Sequence, residues 1–187
     1  MGTITLSKLQ KCALGKVFVE TGCQEGWTLL VAKEFGFSEI HSIELDDELY
    51  LFSKNRFITD NTIHIHHGDS GDVLKYIMPT LVEPATIWLD AHTSNPDNGR
   101  FLPGGIYGGS PLLVELAAVM LSPCKDHVIM IDDVRLFGSS DWDFLDKEKV
   151  IEMIYQINTN YTISYIDGED NGDFPGDIMV ASVVKNA

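Results

Sequence analysis

The sequence predicts a doubly wound α/β domain built on a mainly parallel sheet. Five short runs of apolar and β-branched residues alternate with helical stretches between about residues 17 and 157, which is the pattern of successive βαβ units. Most of these runs are apolar throughout, as expected of parallel strands buried on both faces. Two further strand-like runs follow with no room for a helix between them, so these two should pair antiparallel.

Seven strands are predicted in total, and the third departs from the apolar pattern because it carries histidines. The strands span residues 17–20, 40–44, 62–67, 85–90, 127–132, 161–166 and 177–184.

Five helices fit between the strands, each with a recognisable start or stop. Gly36 is placed to end the first, and the acidic residues 46–48 begin the second, where the helix dipole favours negative charge. Ser70 is a candidate N-cap for the third, which stops before Pro79. The predicted helices span residues 27–35, 47–57 and 71–78, with a fourth opening at Ser110-Pro111 and a fifth running from a cap at Asp146 through Ile157.

The charge balance opposes some functions. The chain has 13 Lys and Arg against 28 Asp and Glu, a net charge of −15 at pH 7. Such a surface repels phosphate backbones, and no basic stripe compensates, so nucleic acid is not expected as a substrate. No apolar run approaches the ~20 residues of a membrane span, and no signal-type stretch opens the sequence. We therefore expect a cytoplasmic protein without a membrane partner, folded as a single domain over residues 1–187.

Acidic residues and glycines recur where successive strands end. The first strand runs into Glu20 and Gly22, and a glycine there permits a tight turn and close backbone approach to a ligand. Glu44 ends the second strand, where a carboxylate can accept two hydrogen bonds from a ribose diol. Asp69 and Ser70 follow the third strand, and a carboxylate there can accept a hydrogen bond from an adenine amino group. Helix capping is the structural alternative for each acid taken singly.

This set resembles the class I S-adenosylmethionine-dependent methyltransferases, whose first motif reads acid-x-Gly-x-Gly-x-Gly. Glu20, Gly22 and Gly26 match that motif, while Gln24 replaces its middle glycine. The final hairpin also resembles that fold. The resemblance implies a Rossmann-like sheet with strand order 3-2-1-4-5-7-6 and S-adenosylmethionine as cofactor. The residues implied to bind it are Glu20, Thr21, Gly22, Gly26, Glu44, Asp69, Ser70 and Asp90.

A second set of acids follows the fourth and fifth strands, which are neighbours in that order. Asp90 and His92 follow the fourth strand, and Asp132 and Asp133 follow the fifth. Three converging carboxylates repel one another, and a divalent cation such as Mg²⁺ relieves the repulsion. The alternative is that Asp132 caps a turn and Asp133 pairs with Arg135, which we expect to neutralise one acid at most.

The second set is similar to the metal-dependent O-methyltransferases of the macrocin, mycinamicin and catechol types. In these enzymes the metal binds two adjacent substrate hydroxyls and lowers the pKa of the one attacked. By that resemblance Asp90, Asp132 and Asp133 are metal ligands, and His92 or an aspartate such as Asp90 is the general base.

Residues 93–109 form a long loop rich in Gly, Pro and Asn directly after the fourth strand, and a substrate lid is expected there. The acceptor is predicted to be a small hydroxyl compound such as a sugar, a polyol or a catechol-like molecule. Four aromatic residues are candidates for its walls, although each can equally serve in packing: Phe101, Tyr107, Phe137 and Trp142.

Two other functions use the same residues. A metal-dependent nucleotide-sugar transferase would need Lys or Arg near its diphosphate, where this sequence has Glu20 and Glu25. A non-catalytic protein that binds an adenosyl cofactor would keep the cavity without turnover. The sequence is also compatible with a homo-oligomer.

Two other motifs are interpreted as structural rather than metal-binding. His64, His66 and His67 are read as strand residues rather than as a metal cluster, because a cluster needs convergent partners. Residues 167–172 mimic an EF-hand loop, but the twelfth position is Ile178 rather than Glu, so a hairpin turn is expected.

Overall fold

The structure is a computed structural model that describes residues 4–92, 109–169 and 173–183. Seven strands form one sheet in the order β3-β2-β1-β4-β5-β7-β6. Pairing is parallel from β3 through β5, and β7 is antiparallel to both β5 and β6. The strands are β1 Val17–Thr21, β2 Glu39–Glu44, β3 Ile63–His67, β4 Thr86–Leu89, β5 Val128–Ile131, β6 Tyr161–Ile166 and β7 Ile178–Val183. The predicted fold class is confirmed.

Within the described residues, six α-helices cover the two faces of the sheet. They are α1 Leu6–Cys12, α2 Trp27–Phe35, α3 Asp47–Arg56, α4 Ser70–Ile77, α5 Leu112–Val119 and α6 Lys147–Ile157. Short 3-10 turns follow at Met78–Thr80, Val134–Leu136 and Ser140–Trp142.

Two details of the helices differ from the prediction. Helix α1 was not predicted, because it has only seven residues and buries only Lys8 and Leu9. Helix α4 begins one residue early, because Asp69 rather than Ser70 is its N-cap and accepts a hydrogen bond from the Gly71 amide at 3.0 Å. The cap at Asp146 is confirmed by a hydrogen bond from the Glu148 amide.

The core consists of two apolar layers, one on each face of the sheet. Alternate strand residues point to opposite faces, so Ile129 joins the layer under α4, α5 and α6, whereas Met130 joins the layer under α1 and α2. Both layers are closely packed, and no helix in the described residues is long and apolar enough to cross a membrane.

The strand register brings acidic residues to one edge of the sheet. In the parallel ladder Glu20 lies opposite Ser42 on β2 and Trp88 on β4, and Leu89 lies opposite Ile131 on β5. The residues that follow these strands therefore emerge side by side at the carboxyl edge, where ligands bind in open α/β sheets.

The histidines of β3 lie beside residues of neighbouring elements. His66 Nε2 is 3.0 Å from His41 Nδ1 on β2, and the rings of His41 and His64 stack with centroids 5.1 Å apart. The His67 ring stacks on Tyr50 of α3 with centroids 4.6 Å apart.

His127 holds three strands together at the opposite edge. Its Nδ1 accepts a hydrogen bond from the Ala85 amide at 3.0 Å, just before β4, and its Nε2 lies 2.8 Å from the Ser122 hydroxyl. The Tyr161 hydroxyl of β6 donates to the His127 carbonyl at 2.8 Å. Because Nδ1 must carry a lone pair for the Ala85 bond, the imidazole is neutral, and burial lowers the pKa of His127 to about 4.

We predict that His127→Gln lowers the free energy of unfolding by about 2 kcal/mol at pH 7, because one buried hydrogen-bond partner is lost. The folded-state pKa lies below the usual value of 6.5. The stabilisation by neutral His127 is therefore complete above about pH 6.5 and is lost as the pH falls towards 4. The deficit of the variant should shrink over that range in urea unfolding. His64→Gln, at an exposed histidine, is the control, and a deficit that does not vary with pH would contradict this account.

Candidate functional site

A cavity opens at the carboxyl ends of β1, β2, β3 and β4. Its floor is formed by the turns that follow these strands, and one wall comes from α3. The described lining residues are Gly22, Gln24, Ile43, Glu44, Leu45, Leu49, Gly68, Ser70, Asp90, Ala91 and His92. Of the residues predicted to bind the cofactor, Gly22, Glu44, Ser70 and Asp90 line this cavity.

The turn after β1 approaches the end of β4 closely. Gly22 has φ of +83°, and a Cβ atom there would lie 2.8 Å from the Asp90 carbonyl oxygen. Gln24 also has a positive φ, of 47°. The residue that replaces the middle glycine of the motif thus adopts the left-handed conformation that glycine favours.

Gly26 has a packing role in this turn. A Cβ atom at Gly26 would lie 2.6 Å from the Phe57 ring, and Gly26 does not line the cavity. Gln24 therefore keeps the loop close to the end of β2, and Gly22 keeps it close to the end of β4. Gly26 allows α2 to pack beside Phe57.

Glu44 presents a buried carboxylate to the cavity. Its Oε2 accepts a hydrogen bond from the Gln24 amide at 2.7 Å, and its Oε1 accepts one from the Asp46 amide at 2.9 Å. Burial raises the pKa of Glu44, and these backbone hydrogen bonds oppose the rise. Because each carboxylate oxygen has two lone pairs, each can accept one more hydrogen bond from a ligand.

Glu20 and Thr21 lie beneath the cavity rather than in its lining. Glu20 is 1% exposed and accepts a hydrogen bond from the Ser42 hydroxyl at 2.6 Å. Burial raises the pKa of Glu20 to about 8, with the Glu44 charge adding to the rise. Thr21 is fully buried, and its hydroxyl accepts a hydrogen bond from the Asp90 amide at 3.2 Å.

Asp69 and Ser70 have different surroundings, although they are adjacent. The Asp69 carboxylate caps α4, and Asp69 does not line the cavity. Ser70 does line it, and the Ser70 hydroxyl donates to the Glu115 carboxylate of α5 at 2.5 Å.

The acids after β4 and β5 meet around His92. Nε2 of His92 lies 2.8 Å from Asp133 Oδ2 and 3.7 Å from Asp90 Oδ1. Asp133 has φ of +55°, and its amide donates to Asp132 Oδ1 at 2.9 Å. The structure therefore brings the predicted base and the predicted metal ligands to one place.

Arg135 pairs with two acids, so the expectation that it would pair with one at most was wrong. Its guanidinium contacts the carboxylates of Asp133 and Asp177, and its amide donates to Asp177 Oδ1 at 2.8 Å. The Asp133–Arg135 pair is the arrangement considered above as the alternative to a metal.

The charges around these acids shift their pKa values in opposite directions. Burial and the neighbouring Asp133 raise the pKa of Asp132 to about 7. Burial and the charges of Asp132 and Asp133 raise the pKa of Asp90 well above its usual value. Burial also opposes ionisation of Asp133, but hydrogen bonds and charges from His92 and Arg135 outweigh it and lower the pKa of Asp133. Asp133 is therefore the acid held ionised.

Two overlapping groups of side chains have the spacing of a metal site. One comprises Asp90, His92 and Asp133, the other Asp132, Asp133 and Asp177, and within each group the ligand atoms lie within 4.8 Å of one another. The predicted set Asp90, Asp132 and Asp133 is thus divided between two groups that share Asp133. Asp132 Oδ2 is buried without a hydrogen-bond partner among the described residues.

The predicted lid lies almost wholly outside the described residues, as do the candidate wall residues Phe101 and Tyr107. Of the other two, Trp142 is 3% exposed and packs edge-on against Phe137 with ring centroids 5.3 Å apart. Trp142 also lies 5.8 Å from the His92 ring, so it borders the acids around His92.

No protein-family model matches the sequence, and no curated protein matches it. Solved methyltransferase structures do match its fold. An O-methyltransferase from Bacillus cereus in complex with S-adenosylhomocysteine is 15% identical, with 95% of this chain and 78% of that chain covered at a TM-score of 0.59. A Streptococcus mutans protein assigned as a methyltransferase, also in complex with S-adenosylhomocysteine, is 9% identical. The match covers 96% of this chain and 95% of that chain at a TM-score of 0.60.

The chain has the class I methyltransferase fold. A third neighbour with this fold is a Clostridium thermocellum protein assigned as an rRNA methylase, which is 13% identical, with 96% of this chain and 95% of that chain covered at a TM-score of 0.64. At these identities the matches describe the shape of the methyltransferase fold, and the chemistry must be argued from this chain's own side chains.

Sequence reasoning missed two acids of the site. Asp177 precedes β7, and the antiparallel register that pairs Met179 with Ile131 brings Asp177 to the end of β5. Glu115 lies in α5 between Leu112 and Leu116, on the apolar stripe itself. A lone carboxylate on the buried stripe of a helix was the available signal for Glu115.

We predict that the free energy of unfolding falls more for the wild-type protein than for the Glu20→Gln variant as the pH rises from 6 to 8. The folded-state pKa of Glu20 is about 8 against a usual value of 4.5, so stabilisation by the neutral carboxyl is complete below pH 4.5 and is lost as the pH rises through 8. The expected difference is up to about 3 kcal/mol over two pH units. Unfolding in denaturant with chelator measures this difference, and Glu34→Gln, at an exposed residue of α2, is the control. Equal slopes for wild type and Glu20→Gln would contradict the prediction.

Proposed function

We propose that this chain is an S-adenosylmethionine-dependent methyltransferase that methylates a hydroxyl oxygen of a small acceptor with the help of a divalent cation. The observation that carries the proposal is the position of one acidic cavity, at the carboxyl ends of β1 to β4 and beside the His92–Asp133 pair. A cofactor in the cavity and an acceptor at His92 would then be neighbours.

The charge of the cavity favours S-adenosylmethionine over a nucleotide sugar. Its described lining includes Glu44 and Asp90 and neither Lys nor Arg. A diphosphate would be repelled by these carboxylates, whereas the sulfonium and ammonium groups of S-adenosylmethionine are cationic. Glu44 would accept hydrogen bonds from the ribose diol, and Gly22 would let the cofactor approach the backbone.

His92 is proposed as the general base, with Asp133 as the residue that orients it. With Nε2–H donating to Asp133, the Nδ1 atom carries the lone pair that can take a proton from the acceptor hydroxyl. The ionised Asp133 would stabilise the resulting imidazolium. The acceptor oxygen attacks the methyl carbon in line, the sulfur–carbon bond breaks, and S-adenosylhomocysteine leaves with the electron pair on sulfur.

The residues present fit a hard divalent cation. Oxygen donors of Asp90, Asp132, Asp133 and Asp177 and a nitrogen of His92 lie in two overlapping groups, and Asp132 Oδ2 is buried without a partner among the described residues. Arg135 offsets part of the charge, but burial, followed by the charges of neighbouring acids, still raises the pKa values of Asp90 and Asp132, and a cation would oppose both effects. Asp133 is common to both groups, and Asp90 and Asp132 would contribute carboxylate oxygens beside it, as in the predicted set. When bound, Mg²⁺ would hold two adjacent acceptor hydroxyls and lower the pKa of the one attacked.

The acceptor is proposed to be small rather than nucleic acid, although one structural neighbour is assigned as an rRNA methylase. A net charge of −15 opposes an approaching phosphate backbone. Mass spectrometry of S-adenosylhomocysteine formation across a panel of sugars, polyols and catechols tests the activity. Binding of the cofactor without turnover of any hydroxyl compound would favour the non-catalytic alternative.

We predict that Glu44→Gln weakens S-adenosylhomocysteine binding about tenfold or more, because a charged hydrogen-bond acceptor is worth about 1.5–3 kcal/mol. The amide retains one acceptor oxygen, so the turn at Gln24 should be disturbed less than by alanine. Titration calorimetry measures the affinity, and Glu39→Gln at the exposed start of the same strand is the control. Wild-type affinity in folded Glu44→Gln protein would remove Glu44 from the cofactor site.

We predict that Mg²⁺ or Mn²⁺ raises the melting temperature of chelator-treated protein and that Asp132→Asn abolishes most of this increase. The variant loses a carboxylate that burial and Asp133 keep difficult to ionise without a cation. Scanning calorimetry with and without metal measures the effect. Asp72→Asn, at a half-exposed residue of α4 that pairs with Lys75, makes the same charge change without removing a proposed ligand. Equal metal stabilisation of both variants would show that the cation binds elsewhere.

A further inference from the structure

Glu115 is a buried carboxylate in a helix that is otherwise apolar on its inner face. Glu115 is 1% exposed. The neighbouring inner-face residues Leu112, Leu116 and Val119 belong to the core layer under α4, α5 and α6. Burying a carboxylate costs several kcal/mol unless hydrogen bonds compensate, whereas a leucine at this position would only add apolar contact. A carboxylate at this position therefore requires polar partners.

Two hydroxyl groups supply the compensation, and both belong to the candidate cofactor site. The Ser70 hydroxyl donates to Glu115 Oε1 at 2.5 Å, and the Thr21 side chain lies close enough to the same carboxylate to lower its pKa. These bonds lower the pKa of Glu115 against the effect of burial, which raises it to about 7.

The carboxylate determines what each hydroxyl can offer to its surroundings. A hydroxyl has one hydrogen, so once that hydrogen is donated to ionised Glu115 only lone pairs are left for other partners. Thr21 follows this rule, because its oxygen accepts from the Asp90 amide at 3.2 Å. Ser70 lines the cavity, so we infer that its hydroxyl oxygen can act there as an acceptor.

We propose that Glu115 is a positioning residue that sets cofactor specificity, by fixing the Ser70 hydroxyl as a hydrogen-bond acceptor for the amino group of the adenine base. The inference rests on the proposed function. It moves recognition of the amino group away from the Asp69 carboxylate, which caps α4 and does not line the cavity. A purine with an oxygen in place of the amino group would put two acceptors face to face, and a site built for a donor discriminates strongly against such an analogue.

The test compares S-adenosylhomocysteine with S-inosylhomocysteine, its 6-oxo analogue, by titration calorimetry at about pH 8, where Glu115 is ionised. Wild-type protein should prefer the amino compound by about tenfold to a hundredfold. Glu115→Leu and Ser70→Ala should each reduce this preference to a few-fold, and the double variant should reduce it little further, because the two residues act through one hydrogen bond.

Two further variants separate specificity from general damage. Glu44→Gln should weaken both ligands by the same factor and leave their ratio unchanged, because it acts at the ribose. Glu115→Gln keeps the volume and one acceptor oxygen, so it reports on the role if Glu115→Leu does not fold. A wild-type ratio in folded Glu115→Leu protein or in Ser70→Ala protein, or equal affinity of wild-type protein for the two ligands, would overturn the role of Glu115. Binding of neither ligand to wild-type protein would instead overturn the proposed cofactor.

Discussion

The burial of carboxylates at one edge of the sheet is the constraint on which the site depends. The parallel register from β1 to β5 places residues after Thr21, Glu44 and Leu89 side by side, and β7 adds Asp177 from the antiparallel side. Each buried carboxylate must receive hydrogen bonds, a cation or a proton, because an isolated charge cannot be kept away from water. The partner that compensates the charge of each acid determines which chemical role that acid can have.

The compensation differs between the two halves of the site. In the cavity half, backbone amides hold Glu44, and hydroxyl groups hold Glu20 and Glu115. In the other half, Arg135 and His92 hold Asp133 ionised, while Asp132 keeps a buried oxygen without a partner among the described residues. Backbone amides and hydroxyl groups carry no net charge, so the cavity half stays net acidic, which suits a cationic cofactor. The charge of the other half is incompletely neutralised, which suits a metal ion.

Much of the fold could be predicted because its signals are local. Apolar runs mark the buried strands, and acids at strand ends mark the carboxyl edge, so the positions of Glu44, Asp90 and Asp132 followed from the sequence. The partners of these acids depend on tertiary contacts. The contact of the Arg135 guanidinium with both Asp133 and Asp177 requires the β5–β7 register, and the exchange of roles between Asp69 and Ser70 depends on a one-residue shift in the start of α4. Helix α1 was missed because seven residues give too little periodicity to detect.

The two halves of the site are joined through Thr21. Its oxygen accepts from the amide of Asp90, a proposed metal ligand, and its side chain lies close enough to Glu115 to lower the pKa of that carboxylate, which also accepts from Ser70. A change in the charge of Glu115 therefore alters a hydrogen bond that positions the backbone at Asp90 as well as one that faces the cofactor. Because Thr21, Ser70 and Glu115 are buried, little water is available to absorb such a change. Under the proposed function, the cofactor and the acceptor would therefore be positioned by one connected group of side chains, Ser70, Glu115 and Thr21, together with the backbone at Asp90.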